Sequence, residues 1–173
     1  RLTENKIGAL IAVERGVSTA PYQGAGTPLD SQVTPELLAT IFHPNTPLHD
    51  GGVIVRGSRL ACAGCVFPLS QKPELSRALG TRHRAAIGLS EETDAIVIVV
   101  SEETGSVSVA YKGRLRRGLE IDRLERFLAN VLLRARVARG PQPSRLRRWI
   151  EYFRSPRQRQ RAYNPAKAES HGA

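Results

Sequence analysis

Two short stretches hold side chains suited to chemistry. Leu48-His49-Asp50-Gly51-Gly52 sets an imidazole, a carboxylate and two residues without side chains just before the apolar run Val53 to Val55. Gly80-Thr81-Arg82-His83-Arg84 places two guanidiniums either side of a second imidazole, with a hydroxyl and a glycine ahead of them. Adjacent carboxylate and imidazole groups can ligate Mg²⁺ or Mn²⁺, and absent side chains at Gly51 and Gly52 let a flat ligand approach the backbone. The same segment also reads as a plain tight turn, with glycine supplying a positive φ. The second stretch suits phosphate oxygens if it opens a helix, because Arg forks bind such oxygens in pairs and free N–H groups at a helix start attract anions. Its alternative is a solvated basic patch. A third stretch, Ser101-Glu102-Glu103, follows an apolar run. The carboxyl end of a strand is where open α/β sheets tend to place ligands, so one of these acids can complete a metal site with His49 and Asp50; otherwise they are solvated turn acids.

The flanking sequence indicates what positions these groups. Ile7 to Val13 reads as a buried strand, and residues 15–29, rich in Gly, Thr and Pro, as a loop. Thr34-Pro35 is a helix start, with Thr as N-cap and Pro at the first helical position. Leu37, Leu38 and Ile41 share one face of that helix, and Pro44 and Pro47 are expected to stop it and force an extended approach to His49. Val53 to Val55, a turn at 56–59 and Leu60 to Phe67 predict strand, turn and strand. A short helical stretch is expected from Pro73 to Leu79 and another from Thr81 to Leu89. Ala95 to Val100 is the most β-branched run, hence a central strand, paired through a turn with Val107 to Tyr111. Asp122 and Glu125 resemble a capping box ahead of an amphipathic helix through Leu124, Phe127, Leu128, Val131, Leu132 and Ala135.

With 173 residues the chain holds one domain with a real core. Its net charge of +10 is unevenly spread: residues 1–133 carry 15 Lys/Arg against 14 Asp/Glu, whereas 134–161 carry ten Arg and one acid, Glu151. The basic balance therefore says little about the core's substrate. Cys62 and Cys65 have C-x-x-C spacing, but no further ligands are arranged for zinc, and small neighbours point to buried free thiols. No window approaches the roughly 18–20 apolar residues of a membrane span. The chain lacks both a signal peptide and an initial Met, so it is expected to be the soluble part of a longer protein.

The segments PNTPLHDGG, LGTRHRAAIGLSEETDAIVIVVSEETG and IGALIAVERG together resemble the diadenylate cyclase domain over about residues 5–130. The continuation RHRAAIGLSEETD is similar to the membrane-anchored class. The resemblance implies condensation of two ATP molecules into cyclic di-AMP with release of two pyrophosphates, at the interface of a face-to-face dimer. It assigns Asp50 as the catalytic residue, and His49, Asp50 and Glu103 to a metal, Mn²⁺ or Mg²⁺, with Co²⁺ as a further candidate. Thr81, Arg82, His83, Arg84 and Ser101 match phosphate-binding positions, and Leu48, Gly51, Gly52, Phe67 and Leu69 the nucleotide pocket. Two departures stand out: Gly52 replaces the family's usual Ala, which is expected to loosen the turn, and Val66 stands where an aromatic residue often lies against adenine.

The fold class expected is α/β, a single domain with a twisted mixed sheet flanked by α-helices, over residues 1–139. Residues 140–173 form an Arg- and Pro-rich tail, with a brief helix around Leu146 to Phe153 and little order after Ser155. The tail reads either as a solubilising end or as a partner-binding one, and in the second case Trp149, Tyr152 and Phe153 among the arginines favour an anionic membrane surface over nucleic acid. The resemblance places the catalytic domain in the cytoplasm, held at the membrane by a segment preceding Arg1. The rival reading is a catalytically silent sensor that binds ATP or cyclic di-AMP in the same pocket.

Overall fold

The computed structural model describes residues 1–73 and 79–137, the side chains of the last helix as far as Leu132. Seven strands form one mixed sheet: β1 (Ala9–Val13), β2 (Thr27–Gln32), β3 (Gly52–Arg56), β4 (Arg59–Cys65), β5 (Ile96–Val100), β6 (Val107–Tyr111) and β7 (Arg114–Arg116). Their order is β2-β4-β3-β1-β5-β6-β7. The β1–β3 pair is parallel and all others are antiparallel. The helices are α1 (Pro35–Ile41), α2 (Thr81–Glu92) and α3 (Ile121–Val137), with a 3₁₀ turn at Ala20–Tyr22.

Strand periodicity of two explains the layers. Leu10, Ala12, Val97 and Val99 point to one face, where they meet Ala86, Ile87 and Leu89 of α2. Ala9, Val53, Val55 and Val100 point to the other and meet Leu38 and Ile41 of α1. On that second face Val13, Ile96 and Val109 pack with Leu124, Phe127 and Leu128 of α3. Both faces of β5 are therefore covered, which is why Ile96 to Val100 is apolar at every position. Each fully buried side chain of this size contributes roughly 1.5–3 kcal/mol.

Local signals account for the helices. Thr34 Oγ1 accepts a hydrogen bond from Leu37 N at 3.1 Å, the N-cap expected, with Pro35 at the first position. Gly88 lets the chain after β4 cross α2 closely, since a Cβ there would collide with the Pro68 carbonyl. Ser70 N donates to Arg84 O at 3.1 Å and Ser70 Oγ to Glu91 Oε1 at 2.8 Å, strapping residues 68–70 along the helix.

Several expectations need correction. Residues 15–29 are not all loop: they contain the 3₁₀ turn and the start of edge strand β2. The approach to His49 is not extended. Asn45 takes a left-handed φ of 67° and two consecutive turns follow, Thr46 N to His43 O and His49 N to Thr46 O, both 3.3 Å. Thr46 Oγ1 also donates to Ile41 O at 3.0 Å, satisfying a carbonyl at the end of α1. Helix α3 begins at Ile121, so Asp122 lies inside its first turn, complementing the helix dipole, rather than ahead of it as a cap. Cys62 and Cys65 are free and buried, as expected. Burial, with Cys62 alongside, pushes the Cys65 thiol well above its ordinary range and so disfavours the thiolate that a zinc site needs. Most of the helical stretch expected between Pro73 and Leu79, the domain boundary at residue 139 and the whole basic tail lie outside the described residues. Among the described residues no helix is long and apolar enough to cross a membrane.

Candidate active site

Topology gathers the candidate groups at one end of the sheet's central strands. Because β1 runs parallel to β3 and antiparallel to β5, the starts of β1 and β3 lie beside the end of β5. The register fixes this, with Ile11 opposite Val53 and Ala9 opposite Val100. Gly52 opposite Cys65 brings the end of β4, hence Val66 and Phe67, to the same end. The Asp50 turn, Gly8, Ser101 to Glu103 and Phe67 thus share a rim. The start of α2 is tied to that rim by the ion pair of Arg82 Nη1 with Glu102 Oε2.

His49 is part-buried, and its Nδ1 lies 2.5 Å from the Thr46 carbonyl. A carbonyl only accepts, so Nδ1 carries a proton, and in the neutral ring Nε2 is the nitrogen with the lone pair. Asp50 is exposed, and among the described residues its carboxylate has neither hydrogen bond nor ion pair. Gly51 has φ +114°, and a Cβ there would lie 2.8 Å from Gly64 C and 2.9 Å from Cys65 O. A Cβ on Gly52 would meet the edge of the buried Phe67 ring, with Cζ at 2.6 Å. Both glycines therefore make room for the protein itself. The methyl missing at Gly52 does not loosen the turn, because Phe67 fills that space.

Helix α2 starts after Gly80 with no side-chain cap, and among the described residues the Thr81 and Arg82 N–H groups have no hydrogen-bond partner. Thr81 is exposed, and Arg84 is part-buried with no ion pair among the described residues. His83 turns toward the sheet, its Nε2 3.4 Å from Ser108 Oγ. Burial lowers its pKa from the usual 6.5; the Arg117 charge adds to the lowering, and Glu103 opposes it. His83 is accordingly a neutral hydrogen-bonding group at neutral pH rather than a third cation beside the two arginines. Ser101 holds the β5–β6 turn: its Oγ accepts from Thr104 N at 3.3 Å and its carbonyl from Gly105 N at 2.8 Å.

The remaining expected residues separate. Leu48 packs against the α1-side core, whereas Leu69 is 43% exposed and Val66 67% exposed. Among the described residues no three His, Cys, Asp or Glu side chains come together to hold a metal ion, so His49, Asp50 and Glu103 do not form a finished three-ligand site within one copy of the chain. Four residues of the neighbourhood escaped sequence reasoning: Gly8, Glu102 as the partner of Arg82, Ser108 and Arg117. Glu102 lay within a triplet already singled out. No local signal distinguishes Ser108 or Arg117 from ordinary strand and turn residues.

The family model described as DisA bacterial checkpoint controller nucleotide-binding (DAC) matches residues 1–115. The chain is similar to cyclic di-AMP synthase CdaA of Bacillus subtilis, 50% identical over 127 residues that cover 73% of this chain and 46% of that protein. It is 45% identical over 148 residues to a diadenylate cyclase of Listeria monocytogenes, covering 86% and 53% respectively. Among solved structures, a double mutant of DacA from Staphylococcus aureus superposes with a TM-score of 0.73 at 45% identity, covering 75% of this chain and 86% of that one. The chain spans about half the length of the curated relatives it matches.

Proposed function

Since this chain belongs to the diadenylate cyclase (DAC) domain family, we propose that it condenses two ATP molecules into cyclic di-AMP and two pyrophosphates. One observation carries the reading: the uncapped start of α2, bearing Arg82 and Arg84, is tied by the Arg82–Glu102 pair to the rim that carries Asp50, whose carboxylate has no partner among the described residues. A phosphate-binding helix start and a proton acceptor on one rim are what attack by a ribose hydroxyl on a nucleoside triphosphate requires.

In this reading the α2 N–H groups and the two guanidiniums hold the triphosphate, while Gly51 and Gly52 keep the turn close against β4. Asp50 accepts the proton of a ribose 3′-hydroxyl as that oxygen bonds to the α-phosphorus of the other nucleotide. The bond from that phosphorus to the pyrophosphate oxygen breaks, and pyrophosphate leaves. Repeating the step with the two nucleotides exchanged closes the ring. The product has two-fold symmetry, so a face-to-face pair of identical protomers presents both half-reactions at once.

The donors suit a divalent cation in part. His49 offers the Nε2 lone pair, Asp50 and Glu103 offer carboxylate oxygens, and the incomplete set leaves positions for phosphate oxygens. Mn²⁺ or Mg²⁺, with Co²⁺ as a further candidate, would offset charge on those phosphates. The similarity to the anchored class supports a cytoplasmic rim, with membrane attachment supplied outside this chain and the basic tail able to meet anionic lipid.

Asp50, whose carboxylate has no partner among the described residues, favours the enzyme over the silent sensor, which needs no carboxylate at that place. ATP and 3′-deoxy-ATP offered side by side decide between them. The cyclase reading expects both to bind and only ATP to release pyrophosphate. Binding of both without release from either, in Mn²⁺ and in Mg²⁺, supports the sensor.

A further inference from the structure

The rim contains a contact that the reaction as described does not use. Arg82 is held through Nη1 by Glu102, and the pair lies directly on the backbone of Gly8, ahead of β1. A Cβ on Gly8 would stand 2.8 Å from Arg82 Nη1, 2.9 Å from Glu102 Oε2 and 3.0 Å from Arg82 Cζ. Three separate elements therefore meet at one guanidinium: the start of β1 below it, the first turn of α2 carrying it, and the turn after β5 gripping it.

We propose that Glu102 and Gly8 are positioning residues that aim the Arg82 guanidinium at the nucleotide's phosphates before substrate arrives. The proposal rests on the diadenylate cyclase reading above. The asymmetry of exposure supports it: the Arg82 side chain is 24% exposed and that of Glu102 65%. The cation is held inside while the acid reaches in from the solvent side, as a bracket does. Only Nη1 is engaged, so Nε and Nη2 have no partner among the described residues and remain available to phosphate oxygens.

The bracket is itself rigid. Ser101 N donates to Ser106 O at 3.0 Å, Gly105 N to Ser101 O at 2.8 Å, and Thr104 Oγ1 lies 2.7 Å from Ser106 Oγ. Gly105, at φ +72°, packs on the Thr3 carbonyl, so the first residues of the chain back the turn. A long side chain such as Arg otherwise loses rotamer freedom when it binds a ligand. Orienting it in advance shifts that loss to folding and strengthens binding without an added contact.

The role separates from a structural or a direct substrate role by whether it acts through Arg82. The measurement is the dissociation constant of 3′-deoxy-ATP, which lacks the attacking hydroxyl, titrated to millimolar nucleotide. Glu102→Ala should weaken binding by about tenfold, the scale of one oriented charge-assisted contact. Glu102→Gln, which keeps a carbonyl oxygen for Nη1, should lose less, and Gly8→Ala should resemble Glu102→Ala. In an Arg82→Ala background all three changes should have no further effect. Undiminished weakening by Glu102→Ala in that background, or none with Arg82 present, overturns the proposal. If the unaltered chain binds no 3′-deoxy-ATP, the cyclase reading fails and the positioning role falls with it.

Discussion

His49 and Thr46 are joined by a hydrogen bond of 2.5 Å from the imidazole Nδ1 to the backbone carbonyl. It fixes the tautomer, and Nε2 is the nitrogen left for a cation. His49→Gln should therefore raise the Mn²⁺ concentration needed for half-maximal activity by at least about tenfold. Thermal stability without metal should change little. A metal titration of activity checks this, and an unchanged midpoint would remove His49 from the metal's ligands.

The two glycines after Asp50 should respond differently to the same methyl group. Gly51→Ala meets backbone atoms at 2.8 and 2.9 Å and a φ of +114°, so neither neighbour nor conformation can yield. Gly52→Ala meets the Phe67 ring as its nearest neighbour, a side chain rather than backbone. Overpacking of that kind costs about 1–3 kcal/mol, and Phe67→Leu in the same chain should recover part of it. Denaturant unfolding of the three variants provides the comparison. Equal losses at the two glycines, with no recovery, would show that the Phe67 contact is not what Gly52 accommodates.

Asp50→Asn keeps the size of the side chain and removes its capacity to take a proton. Turnover should fall by about 100- to 10,000-fold, while the affinity for 3′-deoxy-ATP changes little. Steady-state rates read beside calorimetric binding test this. Near-normal turnover would mean that another group accepts the proton.

His83 contributes a pH dependence of known sign. Burial, reinforced by Arg117 and opposed by Glu103, holds its folded pKa below the 6.5 of the free side chain. Below pH 6.5 the unfolded chain takes up this proton more readily than the folded one. Its contribution to stability is complete above that value and is lost as pH falls toward the folded pKa. Denaturant midpoints measured from pH 7.5 down to 5 should decline, and His83→Gln should flatten the decline. The same slope in both proteins would assign the effect elsewhere.

The sequence disclosed the elements that are buried or capped, and missed those at the sheet's edges. Ile96 to Val100 is covered on both faces and so reads as a continuous apolar run. Thr34-Pro35 announces α1 through local hydrogen bonding. Strand β2 is mostly exposed, contains Pro28, and has an irregularity between Pro28 and Ser31. Strand β7 is Arg114, Leu115 and Arg116 alone. Proline, charge and short length are how edge strands avoid pairing with other chains, and they also erase the alternation that reveals a strand.

The site follows the same division. The motifs that propose it are contiguous stretches around Asp50 and Arg82, and so can be singled out from sequence. Their supports are not, because Glu102 reaches Arg82 across 20 residues and Phe67 reaches Gly52 from the far end of a hairpin. Such contacts depend on register, which no local pattern records.

The central claim is that two copies of this rim join two nucleotides. The most direct measurement is mass-spectrometric detection of cyclic di-AMP from ATP with Mn²⁺ or Mg²⁺, with pyrophosphate counted and the protein serially diluted. The account expects two pyrophosphates per cyclic di-AMP, and a rate per protomer that falls as the dimer dissociates. No cyclic di-AMP from a sample shown to be dimeric, in either metal, would contradict it.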